Sequence, residues 1–194
     1  MYDCKHLHLV LASSSPRRQE YLHLITDDFV VRVSGADETL PRPMPPREAV
    51  AHLARIKAQA VLDELGGGHT VLGCDTLVDL DGRALGKPHG EEGARAMLRA
   101  LSGRDHWVHT GVCLLQQGEG RSFVESCRVT FRPLADWEIE RYLATGEPFD
   151  KAGAYGIQGA AAAFCQRVEG DYFTVLGLPV AHLCQALQEL PAPK

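Results

Sequence analysis

Apolar positions change period repeatedly along the chain, and each change marks an element. Leu7 to Ala12 reads as a first strand that runs into Ser13-Ser14-Ser15-Pro16. There Ser15 as N-cap and Pro16 at the first helical position open a helix carrying Arg17, Arg18, Tyr21 and Leu22. A short strand near Phe29 to Val33 and a Pro-rich loop from Pro41 to Pro46 precede a long helix, Arg47 to Leu65, which Gly66-Gly67-Gly68 ends. In that helix Val50, Leu53, Ala54, Val61 and Leu65 form one apolar face, while His52, Arg55, Gln59 and Asp63 form the solvated one. Next come an apolar strand, Thr70 to Leu80, an Asp81-Gly82 turn and a return segment through Leu85. A helix from Glu91 to Leu101 stops at Ser102-Gly103.

Two longer strands, His106 to Gln116 and Ser122 to Arg132, flank the turn Gln117-Gly118-Glu119-Gly120. The spacing then predicts a helix over Ala135 to Ala144, a Gly-rich loop over Gly146 to Gly159, short strands at Phe164 to Val168 and Tyr172 to Val175, and a C-terminal helix from Pro179 to Leu190. Helices and strands alternate with hairpins mixed in, which predicts α/β with a mixed sheet. At 194 residues the chain fits one domain, or two lobes sharing a core.

Charge and composition narrow the partners. A formal net charge of -5 argues against a surface built to hold duplex nucleic acid, though not against a local basic pocket for one small phosphorylated ligand. The first apolar run is too short for a signal peptide or a membrane span. The six cysteines have no metal-site or redox spacing, so free thiols in a reducing cytoplasm are expected. His106 and His109 fall on opposite faces of their strand and read as ordinary polar residues.

Five features resist a bland reading. Asp75 interrupts Val71-Leu72-Gly73-Cys74-Asp75-Thr76-Leu77-Val78, where a carboxylate is costly unless paired. It is either a strand end or structural pair with a lysine, or a metal ligand or general base at a cleft floor. Lys57 lies in the apolar stripe of the long helix, four residues from both Leu53 and Val61, and either snorkels or faces something negative. Lys87, in Leu85-Gly86-Lys87-Pro88, could be brought by the hairpin to the end of the sheet that holds Asp75, or be simply solvated. Arg17 and Arg18 in a first helical turn suit phosphate oxygens at a positive helix end, or else are exposed. The loop from Glu147 to Gly159 has glycines at every third position beside Tyr155 and Gln158, equipment for reading a base or a plain surface loop.

Taken in order, Leu-Ala-Ser-Ser-Ser-Pro-Arg-Arg (11–18), Gly-Cys-Asp-Thr-Leu-Val (73–78), Leu-Gly-Lys-Pro (85–88), Leu-Ser-Gly-Arg-Asp-His (101–106), Asp-Lys-Ala-Gly-Ala-Tyr-Gly-Ile-Gln-Gly (150–159) and Val-Leu-Gly-Leu-Pro (175–179) resemble the Maf family of nucleotide pyrophosphatases over nearly the whole chain. The resemblance implies a single domain over 1–194 with a mixed, elongated sheet flanked by helices and two lobes around a central cleft. It implies cleavage between the α and β phosphates of dTTP and UTP, with CTP and modified pyrimidine triphosphates as further candidates. Asp75 would be the proton acceptor, and Arg17, Arg18, Lys57 and Lys87 would hold and neutralise the triphosphate. Ser13 and Ser15 would join the substrate-binding turn, and Glu38 would help Asp75 hold a divalent ion, Mg²⁺ or Mn²⁺. Arg17, Thr76 and Gln158 match positions for base choice. Cys74 stands where alanine is commoner, and Ala160 to Ala163 replace a stretch often rich in glycine.

A cytoplasmic enzyme without nucleic-acid or membrane partners is expected. A homodimer rests on the resemblance alone. Two other readings stay open: a pyrophosphatase for modified purine triphosphates such as 7-methyl-GTP or ITP, and a nucleotide-binding regulator of cell division without turnover.

Overall fold

The computed structural model describes residues 2–117 and 119–193; Gly118 of the expected turn lies outside them. Strand β1 (Leu9–Leu11) feeds helix α1 (Pro16–Leu22), which returns to β2 (Phe29–Val31), parallel to β1. Helix α2 (Pro46–Leu65) then crosses to β3 (Thr70–Leu80), parallel to β1 on its other side. The remaining strands are antiparallel: β4 (Arg83–Leu85), β5 (Asp105–Gln116), β6 (Glu119–Phe131) and β7 (Cys165–Glu169). The sheet order is β2-β1-β3-β5-β6-β7, with β4 on β3. Helices α3 (Gly90–Leu101), α4 (Asp136–Leu143), α5 (Tyr172–Leu176) and α6 (Val180–Gln188) complete the chain, with 3-10 turns at 147–150, 152–154 and 160–164.

This order creates a gap. One edge of β3 is fully paired with β5, over 71–79. Its other edge pairs with β1 over 70–72 and with β4 over 78–80. Residues 73–77 therefore have no strand neighbour on that edge, an opening of roughly 16 Å at about 3.3 Å per residue. The chain leaves β1 for β2 on one side, then crosses back from β2 to β3 on the other and continues outward to β4 and β5. The gap between β1 and β3 therefore lies at a switch point beyond the carboxyl end of a parallel strand, where open α/β sheets bind ligands.

The two faces of β3 meet different partners. Val71 joins Val10, Cys113 and Leu115 against Ala54, Ala58, Val61 and Leu62 of α2. That helix lies so close that a Cβ on Gly73 would sit 2.1 Å from the Ala54 carbonyl oxygen, and one on Gly111 2.3 Å from that of Val50. Glycine is required at both places by close packing. Leu72, Cys74 and Val78 face the larger core, with Leu22, Leu98, Ile139, Leu176 and Leu183 from the other helices.

Most expected elements are present with small shifts of their ends. The exception is Tyr172 to Val175, expected as a strand and found as α5. Asp171 caps it, accepting the Phe173 and Thr174 N–H groups at 3.2 and 3.0 Å, and Gly177 closes it with φ of 97°. Local capping outweighed the β-prone sequence. The Asp81-Gly82 turn has positive φ at both residues, 54° and 79°, as a tight hairpin demands.

His106 and His109 do face opposite sides, but neither is an idle surface group. His109 lies between Ser126 (2.8 Å) and Asp79 (3.2 Å). His106 is 2% exposed, packs edge-on to Phe131, and shares a 2.8 Å hydrogen bond between Nε2 and the Tyr155 hydroxyl. Burial lowers its pKa to about 4. Between the ordinary histidine value and that point the unfolded chain takes up a proton that the folded chain refuses, so stability is lost as pH falls through this window, by about 1.4 kcal/mol per pH unit. We expect His106→Gln to flatten this acid limb. Urea midpoints at pH 7 and pH 5 check it: an unchanged wild-type slope in the variant removes His106 as its source.

Candidate active site

Asp75 sits at the middle of the gap on β3, and its strand register turns it toward α2 with Gly73 rather than toward the large core. It is 8% exposed. Across from it, the α2 stripe presents Lys57, whose Nζ donates to Asp75 Oδ1 at 2.6 Å and reaches Glu38 Oε2 at 2.9 Å. The lysine therefore points into the gap with its charge paired. Glu38 comes from the loop between β2 and α2 and is the exposed member of the three. Burial pushes the Asp75 carboxyl above the ordinary aspartate range, against the pull of Lys57 and Arg18, while Glu38 adds to the rise. A carboxylate poised this way takes up a proton more readily than a solvated one. Neighbouring Cys74 is fully buried and its thiol is pushed up to about 11, so it serves as an uncharged packing residue.

On the opposite face of β3, Thr76 meets the turn after β1. Arg18 donates from Nη2 to Thr76 Oγ1 (3.1 Å), from Nη1 to Ser13 Oγ (3.3 Å) and from Nε to the Gly177 carbonyl (2.9 Å). Ser13 Oγ also accepts the Ser15 N–H at 3.2 Å, and Ser15 caps α1 through the Arg18 N–H. Ser13, Ser15, Arg18 and Thr76 thus form one cluster, and Arg18 acts on the charge of Asp75. Three of the five guanidinium donors of Arg18 are used within the protein, which makes it the fixed member of the arginine pair. Arg17 makes no hydrogen bond or ion pair among the described residues. At the Gly-rich loop burial pushes the Asp150 carboxyl up, but the hydrogen bond and charge of Lys151 outweigh it and hold the carboxyl below the ordinary aspartate value, and the charge of Arg17 adds a little to that.

The other expected residues are held less firmly. Gln158 is exposed, and its Oε1 accepts the Tyr21 hydroxyl at 2.6 Å. Lys87 is exposed and forms no ion pair with Asp75. The chain around it returns alongside β3 as far as the Leu85–Val78 pair, and Gly86 then accepts the Gly153 N–H at 3.0 Å. The Gly-rich loop departs from its expected use. A Cβ at Gly156 or Gly159 would meet the Glu147 carboxylate at 2.7 and 2.1 Å, and one at Gly153 would meet Val78 at 2.8 Å. These glycines admit the chain's own side chains rather than a ligand, and Tyr155 is buried against His106 and Phe131, out of reach of a base.

Thr110 and Thr174 were not anticipated. Thr110 hydrogen-bonds Thr76 at 3.0 Å and donates to the Thr174 carbonyl at 2.7 Å. Its signal was the one Asp75 gave: a polar residue inside an apolar strand.

A hollow of about 400 Å³ lies beyond the far end of β3, lined by Asp79, Asp81, Asp105, Trp107 and Arg128. Its charges are spent on one another and on neighbours, Asp79 with His109, Asp81 with Arg104 and Asp105 with Thr130. The gap at Asp75, with a buried carboxylate and unspent cationic donors, is the better site for an anionic ligand.

For a metal ion the donor set is two carboxylates. Asp75 and Glu38 converge on one ammonium, so their oxygens can address a common point. No group of three or more His, Cys, Asp or Glu suited to a metal occurs among the described residues. Two hard oxygen ligands fit Mg²⁺, which commonly takes one or two carboxylates and fills its remaining positions with water and substrate phosphates.

An α/β sheet whose switch-point gap holds a buried carboxylate beside lysine and arginine is equipped for acid–base chemistry on a phosphorylated ligand. The chain belongs to the Maf family: the Maf-like protein model matches residues 8–190. A dTTP/UTP pyrophosphatase of Bacillus cereus is 45% identical over 93% of this chain and 94% of its own length. One of Halalkalibacterium halodurans is 50% identical over the same shares. The fold is shared with Ham1 proteins of Staphylococcus aureus (TM-score 0.51, 16% identity, 93% of this chain and 97% of that one) and Coxiella burnetii (0.53, 18%, 95% and 100%). No helix among the described residues is long and apolar enough to cross a membrane.

Proposed function

We propose that the chain, acting as one domain over 1–194, hydrolyses dTTP and UTP to the nucleoside monophosphate and diphosphate. The observation that carries this reading is the buried Asp75, 2.6 Å from Lys57 in the gap of the sheet, in a chain whose relatives bear that activity in their names. Water attacks the α-phosphorus and the Pα–O–Pβ bond breaks, with diphosphate leaving. Asp75 orients the water and accepts its proton, a role that its raised pKa supports. Lys57, Arg17 and Lys87 neutralise the phosphate chain, with Arg18 as the fixed anchor of the same turn. Positioning and charge neutralisation supply most of the catalysis in such chemistry. Asp75 and Glu38 would hold a divalent cation, Mg²⁺ or Mn²⁺, which when bound adds Lewis-acid neutralisation of the phosphate oxygens. Thr76, Gln158 and Arg17 read the base.

Diphosphate release from dTTP, UTP, CTP, GTP, ITP and 7-methyl-GTP, with Mg²⁺, with Mn²⁺ and with chelator, tests this. We expect dTTP and UTP to exceed the purine triphosphates, and chelation to suppress turnover. A purine preference would reassign the substrate. Nucleotide binding with no diphosphate release from any of them would overturn the enzymatic reading.

A further inference from the structure

Thr76 and Thr110 are directly opposite one another on β3 and β5, on the face away from α2. Their 3.0 Å contact belongs to a chain of hydrogen bonds with only one consistent direction. At one end stands the Thr174 carbonyl, which can only accept, so the Thr110 hydroxyl donates to it at 2.7 Å. Having used its single hydrogen, Thr110 can offer Thr76 only a lone pair, and the Thr76 hydroxyl must donate to it. At the other end stands Arg18, which can only donate and does so into Thr76 Oγ1 at 3.1 Å. Both ends impose the same polarity. Thr110 and Thr174 are fully buried, and Asp171 holds Thr174 through both its N–H and its hydroxyl, at 3.0 and 2.9 Å. Water therefore has no easy way to reset the direction. Half-buried Thr76 keeps one lone pair and no hydrogen with which to meet a ligand.

We propose that Thr110 is a positioning residue that fixes the Thr76 hydroxyl as a pure acceptor, so that the site favours a pyrimidine with a ring N–H. This rests on the reading above, in which Thr76 reads the base of a pyrimidine nucleotide. Uracil and thymine carry a hydrogen on N3, while cytosine presents a bare lone pair there. Two acceptors facing each other leave a polar group unmatched, and one neutral hydrogen bond is worth roughly three- to tenfold in affinity. With Thr110→Val the Thr76 hydroxyl is released to donate, and this preference collapses. With Thr110→Ser the hydroxyl is retained and so is the preference.

The experiment measures binding of UMP, CMP and 3-methyluridine 5′-monophosphate by calorimetry to wild type, T110V and T110S, with diphosphate release from UTP followed in parallel. We expect wild type to bind UMP about three- to tenfold more tightly than CMP or the N3-methylated nucleotide, T110S to keep that ratio, and T110V to bring UMP and CMP close to equal. Equal wild-type binding of UMP and its N3-methyl derivative overturns the proposal without any variant, as does an unchanged UMP-to-CMP ratio in folded T110V. A UMP preference without diphosphate release from UTP would instead sink the pyrophosphatase reading and leave the hydrogen-bond polarity standing.

Discussion

Asp75→Asn is expected to leave the chain folded and to lower diphosphate release from dTTP by at least about two orders of magnitude, the scale of losing a positioned general base. Asparagine keeps the shape and an acceptor for Lys57, whose Nζ also retains Glu38 at 2.9 Å. No charge is then left buried without a partner. What disappears is the ability to take a proton from the attacking water. A folded Asp75→Asn variant, matched to wild type by circular dichroism and thermal melt, is therefore the decisive reagent. If it cleaves dTTP at a near-normal rate, Asp75 is a structural partner of Lys57 and the proton goes elsewhere.

Much of this site was legible because the same physical rule applies to sequence and structure: a charge inside an apolar pattern needs a reason. Asp75 in its strand and Lys57 in its helical stripe each broke such a pattern, and they turn out to be each other's partner at 2.6 Å. Thr110 broke the pattern of β5 in the same way, but a hydroxyl in a strand is common enough to pass unnoticed. Lys87 and Gln158 show the converse limit. Their motifs are recognisable, yet their side chains are exposed and little in the protein holds them, so a firm position depends on contacts that pattern does not encode. The Gly-rich loop and α5 misled for local reasons. Glycine spacing reports close approach without naming the neighbour, here Glu147 and Val78. A run such as Tyr-Phe-Thr-Val favours a strand until Asp171 supplies two capping bonds. The gap itself was invisible, since it arises from where β1 ends and β4 begins along β3.

Lys57→Met is expected to be the most destabilising single change at the site, by about 3–5 kcal/mol at pH 8, because it strands the Asp75 carboxylate in the gap. The Lys57 and Asp75 side chains are only 12% and 11% exposed, so solvent screens neither well. Methionine can still pack against the α2 stripe, and the loss is one of charge rather than volume. Burial already raises the Asp75 pKa, and without Lys57 it must rise further. A carboxyl whose folded pKa exceeds its unfolded one holds a proton that the unfolded chain releases, so stability falls as pH climbs from the unfolded value through the folded one. The deficit of the Lys57→Met variant should therefore be smaller at pH 5 than at pH 8, as read from urea midpoints. Adding Asp75→Asn should restore much of the stability, since the stranded charge is gone, and the double-variant cycle measures that coupling directly. Strictly additive losses, or a deficit independent of pH, would mean that the Asp75 carboxylate is solvated in the folded chain. In that case the raised pKa that suits it to accept a proton would lose its physical basis, whatever Asp75→Asn does to turnover.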